Sequence, residues 1–252
     1  THASAAGSST AYPNLSGQTY EELTRTFYDD YSWRSSYSNP LSATYNTSYD
    51  TYFTTASDVS WPYAQANRQS AQLKGLVTGT RVKVLGTAST YLYTVNFYDS
   101  KNRVIQVQSS NVTGGTDIQT TQYSWPGQPL VNILKQEKSG TNAQTTVAVS
   151  KMTYDSLWRV VKTEKKVSHN QVNSGNMPGS WTTIAEQEYD ALGQLKKKKL
   201  DPAYNSNAGL DSLTFDYNIR GWMLGMNRLY AKDVHQNNYF GFDLGYDKAQ
   251  NG

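Results

Sequence analysis

The side chains best suited to acid–base chemistry are three aspartates that each follow a tyrosine: Asp99, Asp155 and Asp190. Two carboxylates placed on either side of a glycosidic bond are what a glycoside hydrolase uses. Each aspartate also stands where a tight turn favours this residue, because its carboxylate accepts hydrogen bonds from the backbone N–H groups that follow. We therefore interpret all three as turn residues and predict no catalytic residue and no enzymatic activity.

Metal and cofactor chemistry has few candidates. The three histidines, His2, His169 and His235, lack the His-x-Glu and His-Glu-x-x-His spacings of metal sites. The chain has no cysteine, which excludes disulfides and zinc–thiolate sites. It also lacks a G-x-S-x-G nucleophile turn and a phosphate-binding glycine loop. We predict no metal and no cofactor.

Aromatic side chains offer a different chemistry, since exposed rings stack on sugars and other ligands. The chain has 20 tyrosines and 6 tryptophans, and Tyr37, Tyr45, Tyr49 and Tyr52 lie close enough in sequence to form a stacking platform. A sheet with few aliphatic residues would use the same tyrosines to fill its interior. We favour interior packing and keep a surface binding platform as the alternative.

The elements that position these residues are β-hairpins, and the clearest lies at residues 187–198, Q-E-Y-D-A-L-G-Q-L-K-K-K. Asp190 suits the first position of a type I turn, and Gly193 supplies the positive φ that follows it. In such a three-residue loop Asp190 and Gln194 close the turn, and Tyr189 faces Leu195 across the strands. Cross-strand aromatic–aliphatic pairs contribute about 0.2–1 kcal/mol each, so repetition is needed for stability.

The hairpin is repeated along the chain. The tyrosines that start the copies are 25, 31, 35, 28 and 29 residues apart, which suits a variable series of hairpins better than a strict solenoid. The residue four after the tyrosine is Gly or Asn in all but one copy, as a left-handed conformation requires, and Trp158 is the exception. The predicted repeat-turn residues are Tyr98, Asp99, Asn102, Tyr123, Gly127, Tyr154, Asp155, Trp158, Tyr189, Asp190, Gly193, Tyr217, Asn218, Gly221, Tyr246 and Asp247.

The pattern Y-D-x-x-G-R/Q followed by an apolar residue resembles the YD repeat of Rhs proteins, and residues 215–222, F-D-Y-N-I-R-G-W, resemble a characteristic segment of their exported bacterial members. The resemblance covers residues 76–252 well, and residues 1–75 only loosely through Tyr28-Asp29 and Tyr49-Asp50. It implies a β-hairpin ribbon that spirals into a shell, as in insecticidal toxin complexes and teneurins. Such a shell encloses a C-terminal toxin or stands as a surface module.

The self-cleaving aspartyl core that ends the shell in toxin-type Rhs proteins has no match here. Asp201-Pro202 is similar to its D-P pair, but Tyr204 and Asn205 stand where that core has glycine. No protease residue is therefore transferred to this chain.

Composition agrees with an all-β protein built as an antiparallel hairpin ribbon with little helix. Hydrophobic residues make up 37% and charged residues 17%, both below ordinary globular usage, and aromatic and hydroxyl residues replace them. A net charge of +3 is too small to indicate nucleic-acid binding. The one basic run, residues 196–199, predicts a solvated or edge strand protected against pairing.

The individual elements can be assigned by pattern. Alternation favours a strand at Thr24–Tyr28 and another within residues 76–85. Residues 62–74, rich in alanine and followed by Gly75, are the best helix candidate. We expect a linker or weakly held strand at residues 1–19 and long loops at residues 169–181 and 201–210. We divide the chain into a tyrosine-rich region, 1–75, and a hairpin region, 76–252.

Three hypotheses for function follow. The first is a non-catalytic shell or scaffold segment of a large exported bacterial protein, whose partners are further repeats and a C-terminal effector. The second is a cell-surface module that binds a glycan or a protein through exposed Tyr and Trp, and an enzyme is the third. No run approaches the roughly 20 apolar residues of a membrane span, so we expect none. The resemblance implies an extracellular or surface location, with the targeting segment outside this piece. Open sheet edges predict edge-to-edge self-association.

Overall fold

A computed structural model describes Gly17, residues 19–232 and residues 237–246, and in these residues the chain forms thirteen strands and three short helices. The strands are β1 (Thr24–Tyr28), β2 (Val77–Lys83), β3 (Tyr91–Tyr98), β4 (Val104–Ser110), β5 (Thr116–Tyr123), β6 (Pro129–Lys138), β7 (Gln144–Tyr154), β8 (Val160–His169), β9 (Thr182–Tyr189), β10 (Leu195–Leu200), β11 (Asp211–Tyr217), β12 (Met223–Met226) and β13 (Phe242–Asp243). The helices are α1 (Trp33–Ser36), α2 (Tyr204–Asn207) and α3 (Arg228–Lys232). The expected all-β fold with little helix is confirmed.

The order of the strands across the sheet is their order in the sequence, from β1 to β13. The ten neighbouring pairs whose register is described run antiparallel, as a chain of hairpins requires. Within the described residues this linear order leaves β1 and β13 with a strand on one side only. The predicted strands at Thr24–Tyr28 and within residues 76–85 are β1 and β2.

The chain falls into two compact units. The first comprises Thr1–Val149 and Val167–Met177, and the second comprises Ser150–Lys166 and Pro178–Gly252. Strands β7 and β8 contribute residues to both units, because the boundary crosses them near Val149 and Lys166. Residues 1–16, for which a linker or weak strand was expected, lie outside the described residues, as do His2, His235 and Asp247.

The core of the first unit forms on one face of its strands, which we call the covered face. Two rows of paired residues cross this face, Phe97–Gln106–Thr120–Ile133 and Val95–Gln108–Ile118–Lys135. Both rows combine buried apolar side chains with the buried amides Gln106 and Gln108. Phe27 of β1 and Trp33 of α1 stack face to face against this cluster, with ring centroids 3.9 Å apart.

Residues 29–75, the covering segment, lie on the covered face with little regular structure. Their backbone is held by glutamine side chains that pair with it as a neighbouring strand would. Gln106 accepts from the Asn46 N–H and donates to the Asn46 carbonyl, both at 2.9 Å. Gln122 binds Thr54 in the same way, at 2.9 and 2.7 Å. These buried amides satisfy backbone groups that would otherwise be unpaired in the core.

The helix predicted for residues 62–74 is wrong. This stretch is extended and joins the hairpins: Ala64 forms a bridge with Ser124, and the N–H of Gln65 donates to the Tyr123 carbonyl at 2.9 Å. Further along, Asn67 donates to the Thr121 carbonyl and the Ser70 N–H to the Tyr98 carbonyl. Backbone pairing with the hairpins replaces the intrahelical bonds, so tertiary context overrides the helical preference of alanine.

The interpretation of residues 196–199 as an edge strand is also wrong. Strand β10, which contains all four lysines, pairs with β9 on one side and β11 on the other. Two of its lysines stand opposite glutamates of β9, Lys197 opposite Glu188 and Lys199 opposite Glu186. The lysines therefore belong to a strand with opposite charges beside it, an arrangement that stabilises cross-strand pairs.

The predicted loops agree with the structure in most of their length. His169 is the last residue of β8, and the following residues up to the start of β9 contain only a short 3₁₀ turn at Asn173–Gly175. Residues 201–210 contain α2, in which Asn205 and Ser206 have positive φ, so it is not a regular helix. Among the described helices, none has the length and apolar character needed to cross a bilayer.

Replacing Gln122 by leucine should destabilise the first unit. The variant Gln122→Leu keeps the volume but leaves the N–H and carbonyl of Thr54 and the carbonyl of Gln65 without their partner. We expect a loss of about 2–4 kcal/mol in the free energy of unfolding. The control Gln119→Leu, on an exposed position of the same strand, should change it by less than about 0.5 kcal/mol. Equal effects in denaturant unfolding would contradict the role of the amide.

Candidate functional site: the repeat turns

The turn at Asp190 has the geometry predicted for it. The Asp190 N–H donates to the Gln194 carbonyl at 2.9 Å, and the Gly193 N–H donates to the Asp190 carbonyl at 3.0 Å. The carboxylate of Asp190 accepts from the N–H groups of Leu192 and Gln194 at 2.9 and 2.8 Å. Tyr189 faces Leu195 across the hairpin. The Asp190 side chain therefore stabilises the turn by binding its backbone N–H groups.

The other turns repeat this arrangement. Asp99, Asp155 and Asn218 each accept, through one side-chain oxygen, hydrogen bonds from the N–H groups two and four residues ahead. At the tyrosine-led turn that lacks Asp or Asn, the hydroxyl of Ser124 accepts from the Gln128 N–H at 2.8 Å. All five turns also have the backbone bond from this residue to the carbonyl four ahead, as in Asp155 to Arg159 at 3.0 Å.

The fourth position after the tyrosine is left-handed in every one of these turns. The φ angles are 82° at Gly193, 79° at Gly221 and 60° at Asn102, so the positive φ predicted for both glycines is observed. Gly127 has φ 103°. Trp158 occupies the same position with φ 60°, a conformation that is costly for a bulky residue. As expected, Trp158 is the strained member of the series, although its turn has the same hydrogen bonds.

Tyrosine hydroxyls join several of the repeats to the hairpin before them. Tyr123, Tyr189, Tyr217 and Tyr246 each donate to the carbonyl of the residue six after the preceding repeat tyrosine, at 2.7–3.1 Å. The acceptors are Val104, Val160, Leu195 and Met223. The first repeat tyrosine, Tyr98, donates to the Val77 carbonyl at 2.7 Å. The tyrosine thus has two roles, since its ring packs across its own hairpin and its hydroxyl holds the previous one.

An arginine five residues after the tyrosine adds a second link in two of the repeats. Arg103 donates through Nε to Asp99 of its own turn at 2.7 Å and lies over the ring of Tyr123 in the next repeat, 4.9 Å from the centroid. Arg159 does the same with Asp155 and with the ring of Tyr189, at 4.6 Å. Each guanidinium therefore combines an ion pair with a cation–π contact.

The carboxylates proposed as acid–base candidates serve these turns. Desolvation raises the pKa of the Asp155 carboxyl, but the hydrogen bonds from the backbone and side chain of Arg159 and from the Leu157 N–H outweigh it, and the pKa lies below its usual value. A carboxyl held in this way stays ionised and bound to its own loop.

In the described residues no three histidine, aspartate or glutamate side chains are grouped as a metal site.

Of the tyrosines considered for a sugar platform, Tyr45 is buried in the first unit, and Tyr37, Tyr49 and Tyr52 are half-buried. Tyr45 is buried, and its hydroxyl donates to Asp50 at 2.7 Å. Tyr37 is half-buried under the guanidinium of Arg81, which lies 4.1 Å from the ring centroid.

Exposed aromatic residues occur elsewhere in the first unit. Trp61, Tyr63 and Trp125 are exposed. The rings of Trp61 and Tyr63 meet edge to face, with centroids 5.9 Å apart. The backbone N–H of Trp125 donates to the Tyr63 carbonyl.

Sequence reasoning missed this aromatic cluster and the buried glutamines. Tyr63 falls in the predicted helix, residues 62–74, and Trp61 directly precedes it, so their approach to the Tyr123 hairpin was not expected. No signal in the sequence indicated the glutamines, because Gln106 and Gln108 alternate with the apolar Ile105 and Val107 along β4, a pattern that predicts the apolar residues inside. No known protein-family model matches the chain, and a search among curated proteins finds no significant match.

Gly193 offers a test of the turn. Valine at this position must adopt a positive φ, so Gly193→Val should lower the free energy of unfolding by about 1–2 kcal/mol. A methyl group itself meets only ordinary contact there, 3.5 Å from Arg159 Nη1, so backbone strain is the main cause. The matched variant Gly193→Asn copies the residue that Asn102 places in the same conformation, and should cost less than half as much. Equal losses in urea titrations would refute this explanation.

The stability of the fold should fall as the pH rises above about 10, the ordinary tyrosine pKa. Desolvation raises the pKa of Tyr98, Tyr189 and Tyr217, and raises that of Tyr31 to about 12. The folded state therefore keeps protons that the unfolded state releases, so this contribution is complete below the unfolded pKa and is lost as the pH rises through the folded values.

Urea unfolding at a series of pH values between about 8 and 12 measures this loss. Tyr189→Phe removes one titrating hydroxyl and should make the decline shallower, while Tyr204→Phe, at an exposed position, serves as the control. A free energy of unfolding that stays constant over this range would contradict the expectation.

Proposed function

We propose that this chain is a structural segment of a large exported bacterial protein of the Rhs (YD-repeat) type, in which it encloses or supports a C-terminal effector without catalysing a reaction. The observation that carries the proposal is the bond, made by four repeat tyrosines, from the hydroxyl to the carbonyl six residues after the preceding repeat tyrosine. Because the same bond joins successive hairpins, the series can be extended by further copies, as a scaffold requires.

The polar character of the turns supports the same proposal. Each turn uses its Asp, Asn or Ser to bind its own backbone, so the residues that could perform acid–base chemistry are engaged in holding the ribbon. The linear strand order leaves β1 as an edge strand in the described part of the chain. We propose that further repeats cover such edges in the parent protein, and that isolated copies associate through them.

A second candidate function is binding at a cell surface, and the cluster of Trp61, Tyr63 and Trp125 favours it. Trp125 is 61% exposed, and Lys101 lies over its ring at 4.3 Å from the centroid. A cation beside exposed aromatic rings suits a glycan or a protein loop. Because all these residues belong to the first unit, this function would not require the second.

Limited proteolysis of the protein encoded by the complete reading frame tests the scaffold proposal. Polypeptide that follows this segment should be cut far more slowly in the native protein than after denaturation. The double variant Tyr189→Phe, Tyr217→Phe, which loses two links between hairpins, should remove that protection, and Tyr204→Phe should not. Cleavage at the denatured rate in the unaltered protein would refute enclosure. Glycan binding that is lost in Trp125→Ala would favour the second candidate.

A further inference from the structure

A groove in the first unit opens where the covering segment leaves part of the covered face free. Its volume is about 510 Å³, which lies within the size range of ligand-binding pockets. One wall is formed by residues 40–42 and 44–48, and the other by side chains of β4, β5 and β6: Gln108, Thr116, Ile118, Lys135 and Glu137. The groove therefore adjoins the place where glutamine amides hold extended backbone.

Gln108 is the lining residue whose hydrogen bonding is incomplete. Its side-chain NH₂ donates to the Thr44 carbonyl at 3.3 Å and to Gln106 Oε1 at 2.9 Å. Among the described residues no donor reaches its Oε1, although Gln108 is only 3% exposed. In the described residues the fully buried side-chain nitrogen and oxygen atoms without a partner are Arg34 Nε and Asn39 Nδ2, so Gln108 Oε1 retains some exposed surface. Gln108 also lines the groove.

Gln106 and Gln122 indicate what such an acceptor binds. Both use Oε1 to accept a backbone N–H of an extended segment and use the NH₂ group to donate to the carbonyl of the same residue. Gln69 binds the same segment by accepting from the Tyr45 N–H and donating to the Ala43 carbonyl. Gln108 makes the donor half of this arrangement and lacks the acceptor half. We propose that the groove binds an extended polypeptide whose backbone N–H donates to Gln108 Oε1.

The rest of the lining selects peptide over other ligands. The aromatic residue that lines the groove is Tyr45, which is 8% exposed and has its hydroxyl bound to Asp50, so a sugar finds no ring face. The cation in the lining is Lys135, which forms an ion pair with Glu137 and is not available to phosphate groups. A paired Lys and Glu beside an amide suit the polar side chains and alternating donors and acceptors of an extended peptide.

Nuclear magnetic resonance titration with two synthetic peptides tests the proposal. The first has the sequence of residues 42–47, the backbone that Gln106 and Gln108 already bind, with acetylated and amidated ends. The second is the same peptide with its backbone amides N-methylated, which removes the N–H donors and keeps the side chains. The first should shift the amide signals of Thr116, Ile118 and Lys135, and the second should bind at least about tenfold more weakly.

Protein variants locate the contact. Gln108→Leu should weaken binding of the first peptide at least about tenfold, while Gln136→Leu, an exposed position on β6, should leave it unchanged. If Gln108→Leu does not fold, the comparison of the two peptides on the unaltered protein decides alone. The proposal is overturned if the first peptide causes no shifts at millimolar concentration, if both peptides bind equally, or if maltotriose shifts the same signals instead.

Discussion

The hydrogen bond from a repeat tyrosine to a carbonyl of the preceding hairpin is the interaction on which the repeated architecture depends. A single hairpin closed by an aspartate turn has too few contacts to be stable in water. When the tyrosine hydroxyl reaches the carbonyl of Val160, Leu195 or Met223, the ends of two consecutive hairpins are tied together. Because each of these acceptors lies six residues after the preceding repeat tyrosine, the bond also fixes which strands can be neighbours.

The turns show how the aspartates of the repeats serve the structure. The carboxylates of Asp99 and Asp155 each accept hydrogen bonds from two backbone N–H groups and a guanidinium. At Asp155 these bonds outweigh desolvation and hold the pKa of the carboxyl below its usual value. An acid catalyst needs the opposite, a site that favours the protonated form. Arg103 and Arg159 make the turn part of a larger array, because the same cation lies on the tyrosine ring of the following repeat.

Sequence reasoning predicted the hairpins well because their determinants are local. Asp190, Gly193 and the facing pair Tyr189 and Leu195 lie within seven residues, so the type of turn and the register follow from short-range chemistry. The covering segment could not be predicted in the same way. Residues 62–74 have the composition of a helix, but their partners, such as Tyr98 and Thr121, lie dozens of residues away in sequence. The lysine run of β10 likewise indicated a solvated or edge strand without revealing that β11 pairs with it.

The buried glutamines show how a chain with few aliphatic residues can still build an ordered interior. An apolar side chain on the covered face would exclude water but would leave the N–H and carbonyl groups of an irregular segment unsatisfied, at a cost of about 1–3 kcal/mol for each group. A glutamine amide presents one donor side and one acceptor side at the spacing of a peptide group, so Gln106 and Gln122 act as short pieces of β-strand that project from the sheet. This geometry makes such an amide selective for extended backbone, whatever side chains that backbone carries.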